Sequence, residues 1–225
     1  MSGFSTHSLL LTLYLGVSLF IALDVREFAR AWTASSLHDP TPRLWGRLTL
    51  LPKAWFEPFG SGLLPGLLLF IWVAAVAMPP VVAYAKPAPI DPGYLRRSTR
   101  DNIYVGLAGP LTNVALAVVA GLALRIPMDP GLAIILGAFE YANLCVAFFH
   151  LLPIPGLDGA RLVGLALPDR AAIFYRNLDA YLPLFVLVVL FILTRPAGLT
   201  DSLTNAVCRM TSGRDCLAWG FGLSL

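Results

Sequence analysis

Charge is scarce in this chain. Asp, Glu, Lys and Arg make up 13% of its 225 residues, against roughly 25% in soluble domains. Apolar residues fill 57% and the mean hydropathy is +0.74, which excludes an ordinary soluble domain and indicates an integral membrane protein. The net charge is only +3. Its basic residues lie in short loops and form no single patch, so they exclude a nucleic-acid surface and serve as topology signals. Histidine is also rare. Of the three, His7 is terminal, His38 lies in a loop, and only His150 falls in an apolar run. Three cysteines without a CxxC pair exclude a disulfide framework. Cys145 lies in an apolar run and reads as a packed core residue. Cys208 and Cys216 stand close together near the C-terminus, either as a small closed loop, if that end faces an oxidising compartment, or as two free thiols. The N-terminus lacks a basic n-region and a small-residue cleavage site, so no removable signal peptide is expected.

What the chain does have is a series of apolar runs. Ser8 to Asp24 starts a helix that should continue to Trp32, and His38-Asp39-Pro40-Thr41-Pro42 breaks it. Residues 43–51 alternate loosely, which predicts a short strand at the membrane surface. Leu63 to Ala77 is apolar but short for a span of about 20 residues, and ends at Met78-Pro79-Pro80. Arg43, Arg47 and Lys53 precede it; Lys86, Arg96, Arg97 and Arg100 follow. Basic residues on both flanks predict a re-entrant segment that enters and leaves on the cytoplasmic side; a full span is the alternative. Ile103 to Leu124, Leu132 to Leu152 and Leu178 to Leu193 are three further helices, with Pro168 to Asn177 as a polar connection. Four spans and one re-entrant hairpin place both termini outside. The first seven residues carry no Lys or Arg, as that side prefers, while Arg195, Arg209 and Arg214 argue the other way. There is no internal repeat and no second domain. Residues 1–195 form one transmembrane domain and 196–225 a tail.

The chemistry centres on Leu23 to Trp32, read as LDVREFARAW. Taken alone, Arg26-Glu27-x-x-Arg30 is what any helix end with snorkelling arginines carries. Four further segments change that reading. Gly109-Pro110-Leu111-Thr112-Asn113 opens the third long apolar helix, Leu151 to Gly159 (LLPIPGLDG) closes the fourth, Trp45 to Leu50 follows the first, and Ala85-Lys86-Pro87-Ala88-Pro89 follows the short segment. In this order, on a polytopic chain, the set resembles the site-2 protease family of intramembrane zinc metalloproteases, most of all its small bacterial branch without an accessory regulatory domain. The resemblance covers about Leu9 to Tyr181.

The resemblance implies a helical bundle with a small β element at the cytoplasmic face, in a bacterial plasma membrane. In that family the two histidines of H-E-x-x-H and the aspartate of the LDG motif bind zinc, and the glutamate activates the metal-bound water. Here Glu27 matches the base and Asp158 the third ligand. Asn113, beside Pro110, matches the asparagine that helps hold a substrate strand. Arg26 and Arg30 stand at the two histidine positions, and His150 stands where the family usually has asparagine. Arginine stays protonated and offers no lone pair. Zinc is therefore expected to be absent, and no catalytic residue is assigned to the degenerate site of Arg26, Glu27, Arg30 and Asp158. Two guanidiniums against two carboxylates keep the charge sum of a zinc site. At least one arginine is expected to pair with Asp158, with Glu27 in the same network. His150 has three readings: a satisfied core residue, an unusual ligand beside Glu27 and Asp158, or a pH-sensitive hydrogen bond. Glu140, nearer the outer end, is a further candidate because ionisable groups in membrane helices are functional by default. The expectation is a pseudoprotease that binds a transmembrane partner as a subunit or assembly factor, by adding the partner's unwound chain to an edge strand. The alternative is a working intramembrane metalloprotease with a non-standard site.

Overall fold

Three of the apolar runs become three long helices. The computed structural model describes residues 6–75, 82–95, 98–193, 199–214 and 216. Among them, α1 (Thr6–Ser36), α5 (Ser98–Ala123) and α6 (Pro130–His150) are long and apolar enough to cross a membrane. Between α1 and α5 come α2 (Thr41–Leu44), α3 (Pro52–Trp55) and α4 (Leu64–Ala75), and after α6 come α7 (Asp158–Ala166), α8 (Asp169–Asn177), α9 (Leu182–Leu193) and α10 (Leu199–Thr211). Local chemistry sets α6 going: Pro130 needs no N–H donor in the first turn, and the Asp129 carboxylate accepts from Gly131 and Leu132 N–H.

α1, α5 and α6 pack on one another. At one end Leu11 and Leu15 meet Ala117, Ala138, Tyr141, Leu144 and Cys145; towards the other, Leu19, Ala22, Leu23 and Ala31 meet Val146. Small residues let the backbones close up. The outward faces stay apolar, with Leu13, Leu111 and Val119 more than half exposed, which suits lipid and not water.

The expected strand and the expected fourth span are both corrected. Residues 43–51 form no strand, and there is none among the described residues. Pro42 starts a single helical turn, and Gly46, at φ 64, reverses the chain with its successor Arg47 donating back to Pro42 O. That reversal removes the extended backbone a strand needs. The polar connection Pro168 to Asn177 holds α8, whose polar residues suit a surface helix. The last apolar run gives a short 3-10 turn and then α9, 12 residues long, so the described residues hold three spanning-length helices and not four. Within the expected tail, α10 packs on α6 and α5, and Cys208 is bonded to Cys216, the closed-loop alternative of the two read from the sequence.

The short apolar segment runs out through α4, and its chain comes back as the extended leg 82–91. Tyr84 N–H donates to Gly60 O, Lys86 N–H to Trp55 O, Ala88 N–H to Glu27 and Asp91 N–H to Asp39. The segment therefore starts and ends at the same end of α1. Met78-Pro79-Pro80, Arg96, Arg97 and Arg195 lie outside the described residues.

Candidate functional site

Arg26 and Arg30 are four residues apart and project from one face of α1. Across from them α5 presents glycine. A Cβ at Gly109 would lie 2.7 Å from Arg26 Cγ and 3.2 Å from Arg30 Cδ, so only glycine leaves room for both stems. The third partner arrives from the loop after α6. Gly156 turns that loop at φ 88, its N–H held by Asp179, and Leu157 N–H donates to Ile154 O. Asp158 then opens α7, and Gly159 packs so tightly on the carbonyls of Leu151 and Leu152 that no side chain fits there.

The result is a closed charge network in which every member is 4% exposed or less. Arg26 Nη2 lies 2.5 Å from Asp158 Oδ2, and Arg30 Nε 3.1 Å from Asp158 Oδ1, close but not aligned as a hydrogen bond. Arg30 Nη1 donates to both Glu27 oxygens at 3.0 and 2.9 Å, and Arg26 Nη1 also donates to Glu27. The remaining capacity of Glu27 is met by Ala88 N–H at 2.8 Å. Burial alone would push the Asp158 carboxyl up; the Arg26 and Arg30 guanidiniums outweigh it and hold Asp158 below its ordinary range.

Sequence reasoning missed Arg161. It lies one turn after Asp158 on α7, and its stem packs over Gly106 of α5. Burial and the charge of Arg30 pull its guanidinium down to about 10, against Asp158, Glu27 and Asp179, which raise it. The spacing of three from Asp158 on a helix was the signal.

Asn113 sits one turn beyond Gly109 on α5, next to the buried Pro110. It is fully buried, and neither its side-chain nitrogen nor its oxygen has a partner. His150 is 1% exposed, with Nδ1 2.8 Å from Val146 O and Nε2 without a partner. A carbonyl only accepts, so Nδ1 carries the proton and Nε2 keeps its lone pair. Glu140 lies apart from this group, in the middle of α6, where Thr211 Oγ1 donates to it.

A zinc centre needs about three protein ligands with free lone pairs. Here both carboxylates are engaged by guanidiniums, and the two arginines have no lone pair to offer. The donor set of Arg26, Glu27, Arg30 and Asp158 does not fit zinc.

No family model matches the chain, and no solved structure matches it. It is 27% identical over 202 residues to the Bacillus subtilis protein named putative zinc metalloprotease YwhC, covering 85% of this chain and 86% of that one. It is 32% identical over 142 residues to putative zinc metalloprotease Rip2 of Mycobacterium tuberculosis, covering 62% of this chain and 51% of the relative. A third, putative zinc metalloprotease MJ0611 of Methanocaldococcus jannaschii, is 34% identical over 128 residues, 56% of this chain and 61% of its own length. The chain thus spans most of the first relative and little more than half of the other two. These relatives are members of the site-2 protease family, and the chain is similar to them along their shared length.

Proposed function

We propose that this chain is a metal-free pseudoprotease of its family, which holds a transmembrane partner without cleaving it. The observation that carries this reading is the network of Arg26 and Arg30 with Glu27 and Asp158. It ties up both carboxylates that a zinc site would use and supplies the positive charge from side chains. Partner binding is supported by Asn113, whose buried amide has an unmet donor and an unmet acceptor, the pair a peptide main chain satisfies. With no strand among the described residues, the extended leg 82–91 is the element a partner's unwound chain would lie beside.

In this reading α4 and the leg 82–91 form a re-entrant hairpin on the cytoplasmic side of a bacterial plasma membrane, multi-pass through α1, α5 and α6. The shared end of its two legs supports this. Cysteines placed at Lys53 and Lys86 are expected to be labelled from the same side; labelling from opposite sides removes the hairpin.

A second reading, a working metalloprotease with a non-standard site, is favoured by the free Nε2 lone pair of His150 and by the names of the relatives. Metal analysis separates the two. The purified, unreduced protein is expected to hold no stoichiometric zinc and to leave membrane test substrates intact. About one zinc per chain that is lost on Asp158→Ala overturns the pseudoprotease.

A further inference from the structure

The end of the core opposite the arginines holds a buried carboxylate that the proposed function does not use. Glu140 is 1% exposed on α6. Beside it lie Cys208 and Cys216, both buried, and the ligand atoms of the three residues all lie within 4.8 Å of one another. Among the described residues this is the one such group that could hold an ion. The two cysteines are joined, with Cα atoms 5.6 Å apart. A disulfide has no use for a carboxylate against it. Two thiolates do, because Glu140 on α6, Cys208 on α10 and Cys216 after the turn that follows α10 then converge as a three-ligand set with a fourth position free.

We propose that reduction of the Cys208–Cys216 disulfide uncovers a binding site for a thiophilic divalent cation of the zinc type, with Cys208, Cys216 and Glu140 as ligands. Two sulfurs on one tetrahedral zinc, each at about 2.3 Å, stand roughly 3.8 Å apart. Cα atoms at 5.6 Å allow that separation as well as the S–S bond. Gly213, at φ 77 with open space around its Cα, turns the chain after α10 so that Cys216 returns to Cys208. Thr211 Oγ1 donates to Glu140 and orients it, as the partners of metal ligands commonly do. Arg125 donates to the carbonyls of Met210 and Thr211, setting a positive charge beside two thiolates and a carboxylate whose summed charge exceeds that of the metal. Gly213 and Arg214 are exposed, which gives an ion a route in. The exchange balances. A dithiol reductant gives two electrons and two protons to the S–S bond and becomes a disulfide itself. The cation then displaces the two thiol protons to solvent. A disulfide oxidant that takes up the two electrons and two protons, becoming a dithiol, returns the sulfurs to each other and releases the metal.

The test is cobalt titration of the full chain in detergent, before and after reduction with a dithiol that is then removed under argon. Reduced protein is expected to bind about one Co2+ per chain, with an intense thiolate-to-cobalt band in the near ultraviolet that one equivalent of Zn2+ abolishes. Unreduced protein is expected to show none. Cys208→Ser should lose the band, Glu140→Gln should bind at least about tenfold more weakly, and Cys145→Ser should bind as wild type. No band in the reduced wild type, or a band that survives Cys208→Ser or is unweakened by Glu140→Gln, overturns the site. The oxidised and reduced wild type share one sequence, so this comparison decides even if a variant fails to fold. The arginine cluster contains no sulfur, so any metal bound there would give no such band and cannot be mistaken for this site.

Discussion

The two ends of the α1–α5–α6 core both bury carboxylates, and they satisfy them in opposite ways. At one end Glu27 and Asp158 face two guanidiniums and a backbone N–H. At the other end Glu140 faces a threonine hydroxyl beside a disulfide. The first arrangement offsets charge with charge, which requires every partner to stay. The second offsets it with neutral donors, which hold the acid in place and leave it free to change partners. Desolvation makes an unpaired buried ion far more costly than an unpaired neutral group, so the two ends should break very differently.

The largest difference is expected on removing one acid. Asp158→Ala leaves two buried arginines to share the single carboxylate of Glu27, and loss of one partner from a buried ion pair costs about 3–5 kcal/mol. Replacing Arg26 and Asp158 together by leucine should recover a good part of that, because no charge of that pair is left alone. Chemical or thermal melts in detergent read this directly. If the double variant is no more stable than Asp158→Ala, the residues are not coupled and the view that charge pairing stands in for the metal fails.

The disulfide end should lose less. Reduction, or Cys208→Ser, opens a small loop, and short-loop disulfides stabilise by about 2 kcal/mol. Thr211→Val removes one hydroxyl donor from Glu140 and should cost about 1–2 kcal/mol, the usual effect of leaving a buried acceptor unmet. A Thr211→Val cost as large as that of Asp158→Ala would erase the contrast between the ends, for it would mean Glu140 is as dependent on its partner as an ion.

How much of this was legible in the sequence follows from the range of each interaction. The pairing of Arg26 and Arg30 with Asp158 could be read because helix spacing puts both arginines on one face and the motif order brings the LDG turn to it. Arg161 stood in the same quoted stretch, three residues on, but a lone arginine after a turn looks like any surface charge until α5 is seen to receive its stem at Gly106. Residues 43–51 alternate as a strand does, but Pro42 and Gly46 fix a turn locally and override that pattern. That Glu140 lies away from the cluster could be read from its place in the run. Its partner Thr211 could not, since 71 residues separate them and only the docking of α10 joins them.

The smallest expected effect is that of pH, and its sign sharpens the comparison. Arg26 and Arg30, outweighing burial, hold the Asp158 carboxyl below its ordinary value, which is about 3.9 in an unfolded chain. A group depressed in the fold contributes stability that is fully present above the unfolded value and is lost as pH falls through it towards the folded one. The difference in stability between wild type and Asp158→Asn should therefore stay flat between about pH 5 and pH 8 and shrink only below about pH 4. Taking the difference removes the titrating groups that do not feel Asp158, those at the Glu140 end included. Melts at stepped pH measure it. A difference that already shrinks between about pH 8 and pH 6 would mean that burial outweighs the arginines and Asp158 sits above its ordinary range. The inner end would then resemble the outer one, with an acid held by partners that do not fix its charge.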